Sequence, residues 1–290
     1  MDFLQNGILS AAISPKGAEL YSLELDGIER IWQGDPAIWG RHAPLLFPFI
    51  GRLKDQQYEL DGQMIQAPMH GFCRDRMFET VEADDLHVRY RTQDDEETRA
   101  VYPFSFTLEV EFRLEENTLI KRHTVTNRSD REMLYELGAH DGFRAPLAPG
   151  EQMGEYAIRL PGLEAIRPYG MDEQCMVTPK GRELPLSNGR MPLTPASYGL
   201  DTVILDRPPQ ACAVLVDGAD RPRVTVEFGQ FPYLGIWTQN KPFDTNYVCI
   251  EPWSTLPDAT FVGRELGDKA GIRRLAPGAA ETLSYSVTFS

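Results

Sequence analysis

The chain has 290 residues, 42% of them hydrophobic and 10% aromatic, a balance that excludes a disordered protein and gives enough length to bury a sizeable core. Forty-three acidic against 29 basic residues leave a formal charge of −14, which argues against nucleic acid as a partner, because that binding rests on clustered Lys and Arg. A neutral small molecule fits the charge, although a small basic pocket inside an acidic shell leaves a phosphorylated one open.

The four cysteines, Cys73, Cys175, Cys212 and Cys249, form no C-x-x-C pair, so neither a zinc site nor a disulfide framework is expected. The opening Met1-Asp2-Phe3-Leu4-Gln5-Asn6 lacks a basic region and a long apolar run. No apolar stretch approaches the ~20 residues of a membrane span. The expectation is a cytoplasmic protein with no membrane partner, a monomer or weak homodimer.

Short alternating segments run from end to end. Leu20–Leu25 and Arg30–Gln33 flank Asp26-Gly27, and Gln57–Leu60 and Gln63–Gln66 flank Asp61-Gly62. Asp-Gly supplies the positive φ angles that tight hairpins need. Phe106–Leu114 places an apolar residue at every second position, which predicts a strand with one buried face, and Leu119–Thr126 completes a hairpin after Glu115-Glu116-Asn117. Thr202–Leu205, Ala211–Val216, Arg223–Phe228, Leu234–Gln239, Tyr247–Ile250 and a closing Thr282–Phe289 continue the style. Short helical turns are expected near Asp35–Gly40 and Phe261–Asp268. Residues 161–195 read as a loop-rich elaboration, with no repeat or linker composition. The fold class predicted is all-β, a large antiparallel β-sandwich spanning residues 1–290 as one domain.

Fold pattern does not give function, so the candidate chemistry must come from particular residues. His70 in Met69-His70-Gly71-Phe72 and His140 in Gly138-Ala139-His140-Asp141-Gly142 each sit at a strand end beside glycine, where a ligand can approach closely. The plainer reading is a polar cap on a strand. His87 and His123 lie inside strand patterns and read as structural, with His42 between the two groups. Glu251, in Cys249-Ile250-Glu251-Pro252-Trp253, ends an apolar strand beside a tryptophan, a common stacking surface for a sugar ring. Its alternative is a carboxylate salt-bridged at a strand end. Arg52 and Asp201 carry weaker signals, each also compatible with a structural role.

Taken in order, Pro48-Phe49-Ile50-Gly51-Arg52-Leu53, Tyr58-Glu59-Leu60-Asp61-Gly62, Met69-His70-Gly71-Phe72, Gly138-Ala139-His140-Asp141-Gly142-Phe143, Asp201, Ile250-Glu251-Pro252-Trp253 and the closing 269–278 segment resemble the aldose 1-epimerase (galactose mutarotase-like) family, in particular its LacX-like branch. The resemblance covers nearly the whole chain. It implies an antiparallel β-sandwich enzyme that interconverts the anomers of a free sugar without cofactor or metal. It further implies Glu251 as general base at the C1 hydroxyl and His140 as general acid at the ring oxygen. Arg52, His70 and Asp201 would then hold the sugar, with Trp253 as a further substrate-binding residue. For His140 to donate, a neighbouring carboxylate should raise its pKa, and Asp141 is the nearest in sequence. The better-known galactose mutarotases carry His-Gly-Gly where this chain has His70-Gly71-Phe72, so galactose specificity does not carry over.

Rival readings are a phosphosugar (hexose-6-phosphate) epimerase using Arg41, Arg52, Arg74 and Arg76, and a non-catalytic carbohydrate-binding or sensing domain using Trp237 and Trp253. A glycoside hydrolase would pair Asp201 with Glu251 and leave the histidines without a task.

Overall fold

In the computed structural model, which describes residues 1–198, 202–239 and 245–290, the two longest alternating runs pair as antiparallel strands Phe106–Glu115 and Thr118–Asn127. Phe106, Leu108, Val110, Phe112 and Leu114 are buried, and the residues between them are not. That is the outcome of a period of two with one face against a core. Both strands belong to a nine-stranded sheet among the described residues, which also holds Ala280–Phe289 and, towards its far edge, Cys212–Val216. An eight-stranded sheet packs against it, built around Tyr233–Trp237, Tyr247–Trp253, Gly138–Ala139 and Asp141–Arg144. One continuous core joins the two, with Phe106, Val110 and Tyr285 from the first sheet and Leu234, Ile236, Val248 and Ile250 from the second. The large antiparallel β-sandwich is therefore the observed architecture.

Most strands fall within a residue or two of their predicted places. The Asp26-Gly27 hairpin does not: its second arm is Ile28–Glu29 rather than Arg30–Gln33. The Glu29 carboxylate accepts the Leu23 and Ile31 N–H groups at 3.0 and 2.8 Å, which ends the ladder, and Ile31 bridges to Phe143 instead. The helix Glu96–Val101 also escaped prediction. It is only one and a half turns long and is held by a capping box in which Asp95 accepts from the Thr98 N–H at 2.9 Å. Within 161–195 the chain forms short strands, of which Tyr169–Met171 and Val177–Lys180 extend one edge of the eight-stranded sheet. No helix among the described residues is long and apolar enough to cross a membrane.

One polar cluster crosses the core. Lys121 and Tyr285, from neighbouring strands of the nine-stranded sheet, both point inward and meet Asp141 of the opposite sheet. Lys121 Nζ and Tyr285 Oη each donate to an Asp141 oxygen at 2.7 Å, and all three side chains are buried. Removing one partner of such a pair leaves an uncompensated charge in the core, a loss of about 3–5 kcal/mol, whereas removing both is far milder. Lys121→Met is expected to lose that amount in urea unfolding, and Lys121→Met with Asp141→Leu to regain most of it. Equal losses would show that packing, not the stranded charge, sets the penalty.

Candidate active site

The strand Tyr247–Trp253 is the spine of the site. It pairs on one side with Tyr233–Trp237, placing Gly235 opposite Glu251 and Trp237 opposite Cys249. On the other side it pairs with two short pieces, through Gly138↔Trp253 and Asp141↔Ile250. His140 falls between those pieces, so their shared register sets it opposite Glu251. Val248 and Ile250 enter the core, and the pleat turns Cys249 and Glu251 to the other face of the sheet. The same alternation sends Ala139 and Asp141 inward and His140 towards Glu251. The His140 Nε2 and Glu251 Oε2 atoms approach to 3.4 Å. Both residues are buried, at 8% and 1% exposure.

The glycines around His140 make room for indoles. A β-carbon at Gly138 would lie 2.8 Å from Trp253 Cδ1, one at Gly142 would lie 2.8 Å from Trp39 Cζ3, and one at Gly235 would lie 2.5 Å from Trp253 Cζ2. The motif thus reads residue by residue: space for Trp253, a core alanine, the site histidine, the core aspartate, and space for Trp39.

His70 is held from a different direction. Its backbone is left-handed at φ 63°, and the following Gly71 packs so tightly on the Phe47 carbonyl that a β-carbon would come within 2.1 Å of it. The Gly51 N–H donates to His70 Nδ1 at 3.1 Å, which leaves the proton of the neutral ring on Nε2. The His70 and His140 rings are perpendicular, 5.5 Å apart. The turn carrying Gly51 is itself anchored by a buried cluster. Glu136 accepts the Ile50 N–H and the Thr255 hydroxyl, each at 2.9 Å, and Asp258 accepts the Lys54 N–H at 2.8 Å. Lys269 pairs with both carboxylates from below.

These elements surround a cavity of about 670 Å³ that His70, His140, Glu251, Arg52 and Trp253 all line. Such a volume is in the usual range for a small-molecule site. Five of the six predicted site residues therefore converge; the sixth, Asp201, lies outside the described residues. Trp253 lines the cavity but is only 3% exposed, wedged beside Leu46 and Ile50, so it is more a wall than a platform. The broader aromatic faces are Trp39, stacked on His140 at 5.0 Å, and Trp237, edge-on to it at 5.4 Å. Trp39 was missed from sequence, where it sits in a stretch read only as a turn. Arg41 and Arg74 also line the cavity, as do Met171 and Cys175 from the 161–195 elaboration.

The electrostatics correct one expectation. Asp141 does not raise the His140 pKa, because adjacent strand residues face opposite ways and its carboxylate is taken by Lys121 and Tyr285. Burial instead pushes His140 down to about 3, with Arg74 and Arg41 acting in the same direction. His70 is also held well below the ordinary imidazole range, chiefly by burial and then by His140. Both rings are therefore neutral near pH 7. A histidine whose folded pKa lies below its unfolded value of about 6.5 favours folding above that pH, and the benefit drains away as pH falls towards the folded value. Imidazole NMR signals of His140 and His70 are expected not to titrate between pH 5 and 8. A midpoint near 6.5 for either would contradict the burial.

The sequence profile of the aldose 1-epimerase family matches residues 3–266. The chain is 28% identical over 297 residues to the plasmid LacX protein of Lactococcus lactis subsp. lactis, covering 98% of each. A galactose mutarotase related enzyme from Lactobacillus acidophilus superposes with a TM-score of 0.92 at 32% identity, covering 100% of this chain and 97% of that one. A galactose mutarotase-like protein from Lactobacillus casei gives 0.91 at 29% identity, with both chains covered in full. With a matching profile, a matching fold and a buried His–Glu pair on a cavity, the chain belongs to the aldose 1-epimerase family, a carbohydrate isomerase by that membership.

Proposed function

We propose that the protein interconverts the α and β anomers of an aldose by acid–base opening and reclosure of the ring, with Glu251 and His140 as the exchanging pair. The observation that carries this reading is the 3.4 Å approach of His140 Nε2 to Glu251 Oε2 on one wall of a sugar-sized cavity. O1 and O5 of a cyclic aldose are bonded to the same carbon, so the group that takes the O1 proton and the group that supplies one to O5 must be neighbours. Opening transfers a proton from O1 to Glu251 and one from His140 to O5, and the C1–O5 bond breaks to give the aldehyde. Rotation about C1–C2 presents the other face, and closure reverses both transfers.

The lowered His140 pKa bears on how this begins. Sugar hydroxyls entering the cavity replace the solvation lost on burial and favour the imidazolium that donates. One proton held between His140 and Glu251 then serves both directions. His70, its Nε2–H free of the Gly51 contact, and Arg52 supply hydrogen bonds to ring substituents, with Asp201 as a further acceptor. Trp39 and Trp237 add flat apolar walls. A sugar-binding module needs the walls and hydrogen bonds but not a juxtaposed acid and base.

A specific observation favours a second reading of the substrate. Three arginines, Arg41, Arg52 and Arg74, line the cavity of a protein with a formal charge of −14, and Glu251 is the only carboxylate among the described lining residues. Asp75 pairs with Arg41 at 2.9 Å and lies 3.8 Å from Arg74 Nε, so it offsets only part of this charge. Such a wall suits an aldose carrying a phosphate, as in a hexose 6-phosphate.

Polarimetry of freshly dissolved α-glucose and α-galactose tests the first reading. The protein should speed equilibration, and Glu251→Gln and His140→Asn should each lose about 10²–10⁴-fold. A folded protein that accelerates no aldose, phosphorylated or not, would overturn it. Glucose 6-phosphate tests the second. Arg74→Ala should lower kcat/KM for it by about 10–100-fold, the worth of a hydrogen bond to a charged group, and leave free glucose nearly unchanged. Equal losses on both sugars would remove the phosphate reading.

A further inference from the structure

The proton-transfer scheme leaves one reactive group at the site without a task. Cys249 precedes Glu251 by two residues on the same strand and shares its face, buried against Trp32 and Tyr247. A ligand nitrogen of His140, the Cys249 sulfur and a carboxylate oxygen of Glu251 lie within 4.8 Å of one another. We infer that His140, Cys249 and Glu251 form a binding site for a thiophilic divalent cation of the Zn²⁺ class, and that an ion held there shuts the active site.

The geometry and the donor chemistry both point this way. Tetrahedral Zn²⁺, with bonds of about 2.0–2.3 Å, sets its ligand atoms roughly 3.3–3.8 Å apart. His140 Nε2 and Glu251 Oε2 already stand at 3.4 Å. The Cys249 sulfur lies within 4.8 Å of both. One nitrogen, one sulfur and one carboxylate oxygen are each donors that zinc accepts, and three is the number of protein ligands it takes when its fourth position stays open. Here that position faces the cavity, since His140 and Glu251 both line it. On binding, the thiol gives its proton to solvent and the thiolate sulfur donates to the metal, with no change of oxidation state. The cysteine spacing in the sequence hides this site, because the ligands come from two strands that meet only in the sheet. An ion on His140 and Glu251 occupies the acid and the base at once, so the blockade rests on the proposed reaction. The binding itself does not.

Cobalt titration reads the binding directly. Co²⁺ added to the wild-type protein should produce a thiolate-to-cobalt absorption band in the near ultraviolet, and Zn²⁺ should displace it. Cys249→Ser should abolish the band, whereas Cys175→Ser, which removes the cysteine that lines the cavity, should keep it. In the mutarotation assay, equimolar Zn²⁺ should stop the wild-type enzyme and a chelator should restore it. Cys249→Ser should keep its basal rate and need about 10–100-fold more Zn²⁺ for the same inhibition, at least the effect of losing a supporting contact at a metal site. No band in the folded wild-type protein, or a band that survives Cys249→Ser, would overturn the inference; the wild-type measurement stands even if a variant fails to fold. A Cys249-dependent band in a protein that epimerises no sugar would uphold the metal site and count against the proposed reaction alone.

Discussion

The site depends on the contact of Asp141 with Lys121 and Tyr285 inside the sandwich. A carboxylate in a dry core is tolerable only with a charge partner and its oxygens hydrogen-bonded, and both conditions are met from the opposite sheet at 2.7 Å. A one-residue slip of this strand would carry Asp141 to the cavity face and drive His140 into the core. The cost of either misplacement is large, so the clamp fixes the register that sets His140 opposite Glu251. A polar group on the core face of the sheet thereby decides what faces the cavity.

A second consequence is the division of labour between the faces of the same short strands. Asp141 and Ile250 belong to the core, while His140 and Glu251, one residue away in each case, belong to the site. The pair is desolvated, which pushes the His140 pKa down to about 3. The supporting shell follows the same economy. Gly138 and Gly235 admit Trp253, Gly142 admits Trp39, and the Lys269 cluster holds the turn whose Gly51 N–H orients His70.

Much of this was legible in the sequence. Alternation in Phe106–Leu114 and the Asp61-Gly62 turn announced their hairpins because the side-chain period of a strand is two, whatever surrounds it. His70, His140 and Glu251 were legible because glycine or proline beside a titratable residue is a local anomaly. What stayed hidden is non-local. Lys121 lies in an alternating strand at an inward position, and nothing nearby announces that Asp141 will meet it. The assignment of Asp141 to His140 failed for a reason the pleat supplies: adjacent residues of a strand cannot share a face. Trp39 stayed hidden because its stacking partners, His140 and Tyr247, are remote in the chain. Asp201 falls outside the described residues.

The central claim is that Glu251 and His140 break and remake the C1–O5 bond while the C1–O1 bond stays intact. An aldose carrying a heavy-oxygen label at O1, equilibrated with the protein and followed by NMR and mass spectrometry, examines that claim bond by bond. The account predicts rapid exchange between α and β signals with the label retained at C1. Loss of the label to water at the rate of anomer exchange would place the cleavage at C1–O1 and contradict the assignment of both residues.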